Sequence, residues 1–229
     1  VETVGYLAVL RRPAVAPVMV LGFVAAFVGY AQLNTGMPAF ARAVGEVSTR
    51  GLGFAFAANT AVIVVLQLLV LSRIEGLRRT RVIAAMGVVW GGSWLLLGAC
   101  GLVSGTVGAT LLVAGCASVF ALGETLLQPT IPALVNDLAP DHLRGRYNAL
   151  SSASFSLPGI IAPVTAGFLI DHGLAGVYIG VLVAGSLAIG AIAVWWVEPL
   201  LPAGVNGVRL AVGSEPGTEP EQAPGPLVL

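Results

Sequence analysis

The sequence predicts an all-α integral membrane protein, a six-transmembrane-helix bundle, and three observations carry that expectation. Of 229 residues, 57% are hydrophobic and only 10% charged, with a mean hydropathy of +0.93, far from the balance of water-soluble domains. Six apolar runs are long enough to cross a hydrocarbon core of ~30 Å, which takes roughly 20 helical residues. Pro and Gly, numbering 14 and 30, recur inside those runs. Membrane helices tolerate them because neighbouring groups re-satisfy the freed backbone.

The runs lie near 14–34, 52–72, 82–103, 106–128, 148–170 and 174–197. Residues 1–13 read as a cytoplasmic lead or linker, 14–198 as the bundle and 199–229 as a disordered cytoplasmic tail. The tail is rich in Gly, Pro and Glu with few bulky apolar residues, so burial cannot offset its ordering entropy. The first run is too long for a signal peptide and lacks a convincing small-residue cleavage site.

Orientation follows from the arginines. With the N-terminus inside, Arg11, Arg12, Arg73, Arg78, Arg79, Arg81, Arg144 and Arg146 face the cytoplasm and only Arg42 and Arg50 face out, as the positive-inside rule requires. Both termini are then cytoplasmic, in a plasma (inner) membrane. Trp195 and Trp196 are either interfacial anchors at a helix end or core aromatics.

Charge and chemistry exclude several functions. Eleven basic residues, all Arg, balance eleven acidic ones, leaving no basic field for nucleic acid. Cys100 and Cys116 fall in apolar helices as small packing residues, and His142 and His172 fall in turns, so no Cys/His cluster suggests a metal or cofactor. No apolar run holds a His to serve a nucleophile. The chain does not read as an enzyme.

The stretch Asn136-Asp137-Leu138-Ala139-Pro140-Asp141-His142-Leu143-Arg144-Gly145-Arg146 resembles the acidic-x6-Arg element of the major facilitator superfamily, which closes the fourth or tenth helix there. The turn Leu71-Ser72-Arg73-Ile74-Glu75-Gly76-Leu77-Arg78-Arg79 resembles a worn copy of that family's G-x-x-x-D-R-x-G-R-R turn, with Ser72 in place of Asp. Worn copies lie between helices eight and nine. The resemblance covers roughly residues 10 to 200 and implies one half of a major facilitator fold, the C-terminal half (helices seven to twelve), closest to the drug:proton antiporter branch. That branch's diagnostic motif belongs to helix five. An echo of its GPxxGG spacing occurs as Ala162-Pro163-Val164-Thr165-Ala166-Gly167, where small residues four apart serve close helix packing or, by resemblance, leak prevention.

Glu124 is the residue that needs a reason. Hydropathy alone ends its helix near Gln128 and leaves the carboxylate ~10 Å from the midpoint, near an interface. A helix running through Pro129 and Pro132 to Asp137, as the resemblance implies, puts it ~2 Å from the bilayer centre. We prefer the longer helix. An acidic residue there costs ~2.5–3.5 kcal/mol, so it should face a bundle interior or a wet cavity. Lining a transport cavity with Gln128 one turn on, it binds protons or meets a cationic substrate. The alternative is a structural Glu bonded to a neighbouring helix or reaching toward Arg144. Asn59 and Gln67, eight apart on one side of the second helix, and Tyr30 and Gln32, toward the outer end of the first, are further cavity candidates.

By resemblance, Asp137 and Arg144, with Arg73 or Arg78, form a cytoplasmic charge cluster that holds an inner gate closed. Ordinary positive-inside anchoring explains most of the arginines equally well.

The expectation is therefore the C-terminal half of a secondary active transporter that exports a small drug-like or amphipathic molecule by alternating access, with the proton gradient as energy source and no cofactor. Its partners are the lipid bilayer, the small-molecule substrate and a missing N-terminal six-helix half or second subunit. Val1 is not an ordinary initiator residue. The alternative is a half-sized scaffold or assembly subunit that pairs with itself or another protein.

Overall fold

The computed structural model describes residues 5–74 and 76–207. Among them are six helices long and apolar enough to cross a membrane: α1 Val15–Ala43, α2 Thr49–Ile74, α3 Arg79–Val103, α4 Val107–Leu138, α5 Asp141–Asp171 and α6 Ala175–Leu200. A short helix, Tyr6–Leu10, precedes them.

Each span falls where hydropathy placed it, but three run further than apolarity alone indicated. α1 continues past Asn34 because residues Phe27–Gly36 wind as a π-helix and Met37–Ala43 resume α-helix. Pro38 falls where the π-helical winding gives way to α-helix, and its missing N–H takes one donor from the ladder at that junction. α4 runs through Pro129 and Pro132 to Leu138, the longer of the two alternatives, and its N-terminus is capped by Thr106, whose hydroxyl accepts from the Ala109 amide at 3.3 Å. α5 begins in the charged turn Asp141–Leu143, continues as Arg144–Ser156, breaks at Leu157 and resumes as Pro158–Asp171.

The packing order has an internal repeat. The first helix of each three packs on the second helix of the other three, α1 on α5 and α4 on α2, while the third helices α3 and α6 pack on each other. This is the exchange that two three-helix repeats produce. α3 also packs along α4, so the core lies between them and against α1 and α6, around Trp90, Trp94, Phe120, Phe40 and Tyr178. Ala162 and Ala166 are buried on the half of α5 that meets the π-helical segment of α1, which suits a packing role for the small-residue motif. α2 and α5 are the least buried spans, and Val64, Leu68, Ile160 and Val164 stand bare on them. Trp195 and Trp196 are 79% and 48% exposed, so neither is a core aromatic.

The two ends of the bundle differ. At one end the loop after α1 meets the loop after α3, with the Gly105 amide donating to the Gly45 carbonyl at 3.0 Å. The opposite end gathers Arg78, Arg79, Arg81, Asp137, Asp141, Arg144 and Glu198. Residues Ala203–Gly207, assigned by sequence to the tail, are turns that fold back here, and the Asn206 carbonyl accepts from the Arg79 amide at 3.0 Å. Residues 1–4 of the lead and 208–229 of the tail lie outside the described residues.

Candidate functional site

α4 spans 107–138, so its midpoint falls between residues 122 and 123 and Glu124 lies ~2 Å along the axis from it. The side chain is 9% exposed, and its Oε2 has no hydrogen-bond partner. It borders a cavity of about 370 Å³ lined by Ile63 and Gln67 of α2 and by Glu124, Thr125, Gln128 and Pro129 of α4. The prolines shape this wall. Pro129 and Pro132 cannot donate to the carbonyls four residues back, those of Thr125 and Gln128, so two carbonyls beside the cavity are released from the helical ladder.

Three polar side chains converge on the Glu124 carboxyl: Tyr30, Gln128 and Asn59. Asn59 is itself held, because its amide donates to the Ala117 carbonyl at 3.0 Å and ties α2 to α4. Tyr30 comes from the π-helical part of α1, its ring edge-on to Trp90 and Phe120 at 6.1 and 6.3 Å. Trp90 stacks on Phe120 and donates from Nε1 to the Phe120 carbonyl at 3.0 Å. Glycines make room for it, since a Cβ on Gly29 or Gly123 would run into the indole. The site is thus a buried carboxyl between an aromatic wall and a polar cavity. A carboxyl buried at this depth has to be paired, hydrogen-bonded or neutralised.

The residues singled out from sequence therefore divide. Glu124, Gln128 and Gln67 line the cavity, and Tyr30 and Asn59 reach the carboxyl from α1 and α2. Gln32 does not join them. It is fully buried against α6, where the Tyr178 hydroxyl donates to its Oε1 at 2.8 Å while its Nε2 has no partner. Two positions on from Tyr30, it points to another side of α1.

At the charged end, Asp137 pairs with Arg79 at 2.7 Å, rather than with Arg144, Arg73 or Arg78. Arg144 pairs instead with Asp141, three residues before it in the same turn, at 2.8 Å. Arg78 and Arg81 both bind Glu198, at 2.8 and 3.0 Å, and Arg73 is exposed with no ion pair to a described residue. Arg79 also donates to the Val205 carbonyl at 2.8 Å. Thr80 donates to Glu198 at 2.9 Å, and Asn206 brackets Thr80, accepting from its amide and donating to its hydroxyl, both at 3.1 Å. Sequence reasoning missed Arg79, Glu198 and Asn206 because their partners stand 58 to 126 positions away.

Six spanning helices in two exchanged sets of three, with a polar cavity at mid-depth, define the class of a secondary membrane transporter half. The family comparison agrees: the model of the Major Facilitator Superfamily matches residues 18–221, so the chain belongs to that superfamily, whose members are transporters. Comparison with curated proteins and with solved structures gave no match.

Proposed function

We propose that the chain is the C-terminal half, helices seven to twelve, of a proton-coupled exporter of small drug-like or amphipathic molecules. It works by alternating access in the plasma membrane, with both termini in the cytoplasm. The observation that carries this reading is the Glu124 carboxyl, mid-helix, 9% exposed and unpartnered at Oε2, on the wall of a 370 Å³ cavity. A structural glutamate would have its oxygens bonded; this one has an oxygen free to take a proton or a cationic group. Gln128 and Gln67 supply neutral hydrogen-bonding groups around it. The cavity borders the bare flank of α2, which suits a site completed by a second six-helix unit. The Arg79–Asp137 pair at the charged end serves as the latch of the inner gate. Its partners are half and one-fifth exposed, and a pair so placed biases a two-state equilibrium without freezing it.

The test is Glu124→Gln in the protein as its complete gene encodes it, reconstituted in vesicles with ethidium as a fluorescent amphipathic cation. The expected result is loss of ethidium movement driven by a pH gradient in a variant that remains folded. Gradient-driven movement at the wild-type rate overturns the proposal.

A further inference from the structure

A second cavity lies away from Glu124, at the charged end, and holds about 350 Å³. Its walls are Ile74 at the end of α2, Leu77 in the connecting turn, Val82 and Ala85 of α3 and Leu126 of α4, and its mouth carries Arg78 and Arg81. We infer that this groove binds an anionic phospholipid, the phosphate held by Arg78 and Arg81 and an acyl chain laid along Leu77, Val82, Ala85 and Leu126.

The charges favour an anion. Both guanidiniums bind the one carboxylate of Glu198, so the cluster keeps a surplus of one positive charge. The arginine side chains are 56% and 59% exposed while Glu198 is 13% exposed. The carboxylate therefore sits behind and the cationic faces stay open to a ligand. Arginine suits phosphate because its planar fork offers paired donors. The first-turn amides of α3 are already taken, those of Arg79 and Thr80 by Asn206 and those of Arg81 and Val82 by the Arg78 carbonyl. The ligand is accordingly met by side chains and not by a helix end.

The apolar walls favour a lipid over a soluble phosphate. Apart from the arginines, every lining side chain is hydrocarbon, and Leu77, at the polar end of the bundle, is 54% exposed. Ala85 lies one turn beyond Arg81, ~6 Å deeper along α3, and its small side chain keeps the groove open there. A free phosphate would leave these walls wet. A phospholipid covers them, and basic residues at a membrane surface attract anionic headgroups.

The experiment is native mass spectrometry of the purified protein released from detergent, titrated with phosphatidylglycerol or phosphatidylcholine. Wild type should retain phosphatidylglycerol in preference, and Arg78→Gln with Arg81→Gln should erase the preference, about fivefold for each arginine removed. Because that double change leaves Glu198 without its arginines, Ala85→Phe provides the second arm. It fills the groove, keeps every ion pair, and should also lose the bound lipid, with circular dichroism confirming the fold. Equal retention of the two lipids, phosphatidylglycerol retained by Ala85→Phe, or displacement of the lipid by excess glycerol phosphate would each overturn the inference.

Discussion

The indole of Trp90 lies flat on the ring of Phe120, centroids 4.5 Å apart and planes 6° from parallel, and its Nε1 donates to the Phe120 carbonyl at 3.0 Å. This pair fixes the wall behind Glu124, because Phe120 stands one turn before Glu124 on α4 and the Tyr30 ring stands near-perpendicular to both rings, 6.1 and 6.3 Å away. The wall depends on Gly123, where a Cβ would come within 2.5 Å of the indole. Gly123→Ala should therefore destabilise by ~1–3 kcal/mol through overpacking, although alanine is the better helix former. Thermal unfolding of the purified protein measures it, and an unchanged or raised midpoint would contradict the packing described.

The Gln32–Tyr178 contact gives a test by asymmetry. Tyr178→Phe leaves the Gln32 Oε1 unpaired alongside its already unpaired Nε2, in a fully buried place, at a cost of ~1–3 kcal/mol. Adding Gln32→Leu removes both orphaned atoms, so the double variant should melt closer to wild type than Tyr178→Phe alone. A double variant that melts well below the single one counts against the pairing.

How much of this was legible in the sequence depends on the distance between partners. Composition and apolar runs suffice for six helices, because lipid demands a length that soluble helices do not need. The ends were less legible. The apolar run of the first span stops at residue 34, yet a π-helical segment carries α1 past it through Gly36. Glu124 and Gln128 are one turn apart, so their shared face follows from helical geometry alone. Their neighbours Asn59, Gln67 and Tyr30 required only that polar side chains in a bilayer turn inward. Gln32 also turns inward, but toward Tyr178 of α6 and not toward the cavity. At the charged end, the acidic-x6-Arg spacing pointed to Asp137 and Arg144, but Arg144 has Asp141 within its own turn. Which of the nearby arginines reaches Asp137 is decided by how α3 meets α4, a relation no local pattern encodes.

The Arg79–Asp137 pair is partly exposed, so its coupling should be small. A double-mutant cycle with Arg79→Gln and Asp137→Asn should give at most ~1 kcal/mol. Asp137→Asn should nonetheless raise labelling by a membrane-impermeant thiol reagent at a cysteine introduced near the charged end. Labelling and coupled transport both at wild-type levels would count against a latch.

Asn206 should matter more for stability than its place beyond the last span implies. It is 4% exposed and makes three hydrogen bonds to the first turn of α3 through Arg79 and Thr80. Asn206→Ala removes the two side-chain bonds and should cost ~0.5–2 kcal/mol, the range for loss of a helix N-terminal cap. Chemical denaturation in micelles measures the change, and no shift would show that the turn contributes nothing to the fold.

The most direct test of the central claim is infrared difference spectroscopy of the protein in lipid, recorded between acidic and alkaline pH. Glu124 is expected to contribute a carboxylic-acid stretching band, appearing at acidic pH and missing from the Glu124→Gln difference spectrum. Identical spectra from the two proteins would mean that Glu124 takes up no proton across that range, and the carboxyl would then be a structural group and not the coupling site.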